Sequence, residues 1–130
     1  MKAVTRVRCL RYAVGFVGVL FTAMVYPLVM SMRSSGGSWQ MNQDEQMLLG
    51  VYVTLGIFLL IASRNPLRNR SLIWFAVWSS VAHAAVMSMQ AIHAPADRGD
   101  LLMGSAVMVV VAIILAIWVP RGVVTEPTAI

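Results

Sequence analysis

The chain has 130 residues, of which 59% are hydrophobic and only 12% charged, with a formal net charge of +5. A soluble domain of that size with so little charge would precipitate, so water is not its main solvent. The basic excess does not point to nucleic acid, because no basic surface is interleaved with exposed aromatics, and no nucleic-acid partner is expected.

Four stretches carry no charge at all: 12–32, 46–63, 71–96 and 101–120, which are 21, 18, 26 and 20 residues long. At about 1.5 Å rise per residue each crosses a hydrocarbon core roughly 30 Å thick as a helix. Inside a bilayer every backbone N–H and C=O must be paired within the protein, which leaves helices or a closed barrel. The runs are too long and too uniformly apolar for barrel strands, which alternate over about ten residues. The pattern predicts an all-α integral membrane protein, a single four-span domain over 1–130 with spans near 12–32, 46–63, 71–93 and 101–119. Short loops make successive helices antiparallel, giving an up-down-up-down four-helix transmembrane bundle whose partner is the lipid bilayer.

Lys2, Arg6, Arg8 and Arg11 precede the first span, Arg64, Arg68 and Arg70 fill the second loop, and Arg121 follows the fourth span. The opposite side holds only Arg33 and Arg98, with the acids Asp44, Glu45, Asp97 and Asp100. Because short-loop basic residues stay in the cytoplasm, both termini are expected to be cytoplasmic. The first run is longer than a signal peptide's apolar region and has no Ala-x-Ala site, so it is expected to remain uncleaved. Cys9, the single cysteine, can form no intrachain disulfide and reads as an inert thiol.

Within the first span, Pro27 should bend the helix and free the Ala23 carbonyl. Beyond it lies a small flexible loop, 33–38, with Trp39 suited to the interface. Asn42 three residues before Glu45 is a capping-box pattern with Asn in the Ser/Thr place. The inner loop turns at Pro66, and its arginines can meet anionic head groups. Asp97 and Asp100 suit the start of the fourth helix, while Trp74, Trp78 and Trp118 read as an aromatic belt. Close packing in lipid needs small residues. The third span spaces Ala76, Ser80 and Ala84 for it, and Gly15, Gly18 and Thr22, Gly50 and Thr54, and Ala112 and Ala116 do so elsewhere. Val77 is expected to face lipid.

The chemistry-bearing residues converge on the third span. Ser80, His83, Met87 and Gln90 recur at spacings of three, four and three, forming one stripe with His83 near mid-bilayer. Polar groups at that depth turn towards partners or a hydrated cavity. A stripe of this kind either hydrogen-bonds across the bundle as structural glue or binds a ligand. Glu45 and Tyr52, two turns apart on the second span, can complete an outward-opening pocket, although Glu45 is also explained as a helix cap. In the same outer half lie Met30, Met32, Met41, Met47, Met87, Met89, Met103 and His93. Thioether and imidazole suit copper(I), but Met also fills irregular apolar gaps.

Missing residues set several functions aside. A disulfide-generating enzyme or a mercury carrier needs paired cysteines, and a small multidrug exporter needs a carboxylate in the first span. His83 and His93, about 15 Å apart on one helix, cannot ligate one haem between them. The segments Leu55, Gly56, Phe58, Leu59, Leu60, then Ala62, Arg64, Asn65, Pro66, then Arg70 to Ile73 with Phe75, then Trp78, Ser79, Ser80, His83, Ala84, Met87, Gln90 and Ala91 resemble a family of small bacterial four-helix membrane proteins of unknown function. The resemblance spans the second and third helices, implies a bacterial inner-membrane location, and implies no activity. The resulting expectation is a multi-pass membrane protein acting as a structural or binding module without catalytic residues, with a small hydrophobic ligand or another membrane protein as partner. The alternative is a redox or metal-handling component holding quinone, haem or copper(I).

Overall fold

The computed structural model describes residues 3–33 and 41–120, so Lys2, Trp39, Arg121 and the small-residue loop around Gly36 lie outside the described residues. The helices are α1 (Ala3–Ala23), α2 (Val25–Arg33), α3 (Gln43–Ala62), α4 (Arg70–His93) and α5 (Arg98–Trp118). Four helical segments are long and apolar enough to cross a membrane, α1 and α2 together making the first, Val4–Arg33. The expected all-α four-span bundle is therefore what the chain forms.

The first span breaks at Met24, three residues before Pro27. Proline has no N–H to offer the Ala23 carbonyl, and the helix tightens there, with Met24 N–H donating to the Phe21 carbonyl at 3.2 Å before Leu28 resumes the ladder on Met24. At its other end α1 starts at Ala3, ahead of the charge-free run. Charge ends the bilayer-compatible stretch without ending the helix, since Arg is a good helix former.

Around the bundle the helices follow chain order. The span formed by α1 and α2 packs along α3, α4 packs along α5, and α1 meets α5. Contact between α3 and α4 is slight, although the loop joining them is tight and Pro66 is buried in it. A side-chain core of Leu10, Val14, Val17, Phe21, Leu59, Ile73 and Leu115 fills the centre, each with no exposed surface.

Small residues determine the close faces. A Cβ on Gly56 would lie 2.6 Å from the Thr22 backbone nitrogen, so α1 and α3 touch backbone to backbone there. Gly18 lies under Leu60 and Gly15 under Ser63 in the same interface. Gly50, by contrast, has nothing within 4 Å, and Thr54 is exposed with its hydroxyl on the Gly50 carbonyl at 2.9 Å. The expected Gly50/Thr54 face is thus corrected to the Tyr52, Leu55, Gly56, Leu59 and Ala62 face; small residues permit close approach and do not compel it.

On α4, Ala76, Ser80 and Ala84 are all buried, as their spacing predicts. Ser105 of α5 donates to the Ala84 carbonyl at 3.1 Å, Ser88 to the same carbonyl at 2.8 Å, and the two hydroxyls lie 2.8 Å apart. This serine clasp faces the Ala76–Ser80–Ala84 stripe towards α5. Val77, expected at the lipid surface, is 5% exposed and belongs to the core, because the α4 face turned inward is wider than one residue row.

Helix C-termini leave carbonyls without intrahelical donors, and arginines take them. Arg11 donates to the Arg64 carbonyl at 2.8 Å just past α3, Arg6 to Ile117 at 3.3 Å in the last turn of α5, and Arg70 to Pro120 just beyond it. Arg98 does the same at the other end of the bundle, its Nε donating to the Ala91 carbonyl of α4 at 3.0 Å.

Candidate functional site

Where α3 and α4 separate, a cleft of about 600 Å³ opens between them. Its α3 wall is Asp44, Glu45, Leu48, Val51, Tyr52 and Leu55, and its α4 wall is Phe75, Ser79, Ala82, His83, Val86, Met87 and Gln90, with Asn42 at the mouth. Five of the six residues expected to form a ligand site, Glu45, Tyr52, His83, Met87 and Gln90, line this one cavity. Ser80 does not. It has no exposed surface, and its hydroxyl has no hydrogen-bond partner among the described residues. Adjacent positions on a helix point about 100° apart, so Ser79 turns to the cleft while Ser80 turns to the interior.

Tyr52 forms the floor. Its ring meets Phe21 of α1 edge-on at 5.1 Å between centroids (84°) and His83 of α4 at 5.2 Å (65°). An edge-to-face arrangement sets the positive ring edge against a negative face, so three helices are linked through aromatic rings where the α3 and α4 backbones stay apart. His83 therefore faces α3, but it meets Tyr52 ring to ring and not through a hydrogen bond. Among the described residues the side chains of His83, Tyr52 and Gln90 make no hydrogen bond, and Tyr52 is nevertheless only 6% exposed.

Glu45 has a structural role at the mouth, accepting the Asn42 N–H at 2.8 Å, which is half of the capping box its spacing predicts. Asn42 and Gln43 begin α3 beneath a second tie: the buried Ser31 hydroxyl of α2 accepts from the Met41 N–H at 3.2 Å and from the Gln46 amide at 3.0 Å. A second cleft of about 560 Å³ shares Glu45, Met87 and Gln90 with the first and continues past His93 to Asp97, Asp100 and Leu101. Below, an apolar groove of about 530 Å³ continues the same seam along Val51, Leu55, Phe58, Leu72 and Phe75. The seam thus grades from carboxylates and amides at one end to hydrocarbon at the other.

Of the methionines, only Met47 and Met87 border that seam among the described residues. Met32, Met47, Met89 and Met103 are 58–72% exposed on the outside of the bundle, and Met30 is half-buried on α2. Met87 lines the cleft, with its terminal methyl in the space that a Cβ on Gly104 would need. His93 is exposed and donates from Nδ1 to the Met89 carbonyl at 3.0 Å. Among the described residues no group of three His, Cys, Asp or Glu is placed to hold a metal ion. Sequence spacing alone missed Ser79, Ala82 and Val86, which become cleft wall because α3 and α4 stay apart.

A family model described as a family of unknown function, DUF6632, matches residues 4–129. The chain belongs to that family. No curated protein and no solved structure matches it.

Proposed function

We propose that the protein is a membrane-embedded binding module that takes a small amphiphilic ligand from the bilayer into the seam between α3 and α4. The observation that carries this reading is the buried Tyr52 beside His83 and Gln90, three polar side chains in one cavity without a hydrogen-bond partner among the described residues. None of these polar atoms is sealed from the cleft, so an occupant with hydrogen-bonding groups meets donors and acceptors that no other described side chain has taken. The polar-to-apolar grading of the seam orients such a molecule, head towards Glu45 and tail along Leu72 and Phe75. The bundle serves as scaffold and no residue is assigned a catalytic role.

The reading places the protein in a bacterial inner membrane with both termini in the cytoplasm, supported by the family resemblance and by eight of the ten basic residues lying on one side. Reporter fusions at the C-terminus and at Gly36 test the orientation, and external activity from the C-terminal fusion would reverse it. For the cleft, Ala82→Trp fills the cavity from an exposed wall position. Mass spectrometry of extracts from purified wild-type protein should show a stoichiometric small amphiphile that the Trp variant lacks, with thermal melting of the ligand-free proteins unchanged. Identical extracts from both would refute the site.

A further inference from the structure

The charge of the seam narrows its ligand. Asp44 and Glu45 stand at the mouth of the cleft, and Asp97 and Asp100 line the cavity that continues it, while no Lys or Arg lines either. The nearby Arg98 is turned away, with Nε on the Ala91 carbonyl. A carboxylate or phosphate head would meet like charge with no compensating cation, and like-charge juxtaposition selects against a partner. Independently of those acids, the deeply buried Tyr52 lines the same cleft with no hydrogen-bond partner among the described residues, and its oxygen can accept an N–H. Aromatic faces also attract cations, and the Tyr52 ring borders the cavity.

We infer that the α3/α4 cleft selects a free amphiphilic amine, bound as its ammonium with the head beneath Asp44, between Glu45, Gln90 and the Tyr52 hydroxyl, and the apolar body along Leu55 and Phe75. The inference rests on the cleft being the binding site. An aminophospholipid head is the less suitable occupant, because its phosphate would lie among the same carboxylates.

The test uses the full chain in phosphatidylcholine nanodiscs, titrated calorimetrically with decylammonium, decanol and decanoate, with empty nanodiscs subtracted. Decylammonium should bind about tenfold more tightly than decanoate. Asp44→Asn combined with Glu45→Gln should weaken decylammonium about five- to tenfold and leave decanol unchanged; Gln at 45 retains an oxygen for the Asn42 N–H, so the α3 cap survives. Added salt should weaken decylammonium alone. Decanoate or decanol binding as tightly as the amine, and lost in Ala82→Trp, would overturn the selectivity while leaving the cleft as the binding site. Binding of every probe that is indifferent to Ala82→Trp would overturn the cleft itself. Competition by phosphatidylethanolamine doped into the nanodiscs would assign the site to a lipid head group and overturn a free amine.

Discussion

The α1/α3 and α4/α5 interfaces and the open α3/α4 seam are built from helices of similar length and apolarity, yet they behave differently. Between α1 and α3 the approach is set by Gly56, where a single added carbon would strike the Thr22 backbone. Between α4 and α5 it is set by Ala76, Ser80 and Ala84 and fastened by Ser88 and Ser105. Along the α3/α4 seam the facing side chains are Leu48, Val51, Phe75 and Val86, too large for backbones to meet and all exposed. In lipid there is no hydrophobic drive to close such a seam, because acyl chains are as apolar as leucine. Helices approach where small residues and hydrogen bonds make approach favourable, and elsewhere a cleft persists.

The largest effect is expected at the tightest point. Gly56→Leu should destabilise the bundle by at least about 1 to 3 kcal/mol, since the obstacle is backbone and cannot move aside. Gly50→Leu on the same helix, with open space around it, should leave the melting temperature in detergent within error of wild type. Equal losses in the two variants would mean that the α1/α3 face is wrongly placed.

Ser80→Leu probes the other closed face. Overpacking a fully buried site should cost on the order of 1 to 3 kcal/mol, whereas Leu at Val81, 41% exposed on the outer surface, should cost little. Indistinguishable melting curves would place Ser80 outside the α4/α5 interface.

Removing a hydrogen bond is a smaller perturbation than forcing in a side chain. Ser105→Ala should lower stability by about 0.6 kcal/mol, the usual scale for an interhelical hydrogen bond in a membrane, and Arg11→Ala by about 0.3 to 1 kcal/mol through the exposed C-terminal end of α3. A double-mutant cycle between Ser88 and Ser105 measures their coupling directly, and strict additivity would remove the clasp from the account.

The seam should be the most tolerant region. Ser79→Ala, facing the cleft one position away from Ser80, should shift stability by no more than about 0.5 kcal/mol. A loss matching that of Ser80→Leu would show the cleft to be part of the packed core.

Much of this was legible in the sequence, and the boundary between what was legible and what was not has a physical origin. The charge-free runs determined the four spans, Pro27 the break at Met24, the Asn42–Glu45 spacing the start of α3, and the Ala76–Ser80–Ala84 repeat a close face. Each is a local consequence of backbone hydrogen bonding, or of side-chain size on a single helix. The identity of the facing helix is non-local. Gly50 and Gly56 are equally small, and only the placement of α1 makes one a contact and leaves the other open. Ser79 and Ser80 are identical in chemistry, and only the placement of α3 and α5 around α4 divides them between cleft and core. The outer methionines cluster in sequence depth yet divide between the seam, which Met47 and Met87 border, and the outer surface, where Met32, Met89 and Met103 lie, because depth along a helix axis carries no information about azimuth in the bundle. Sequence determined which four segments are long and apolar enough to cross a bilayer; tertiary structure decided that α3 and α4 stay apart, because that choice depends on side chains from two segments meeting across a gap.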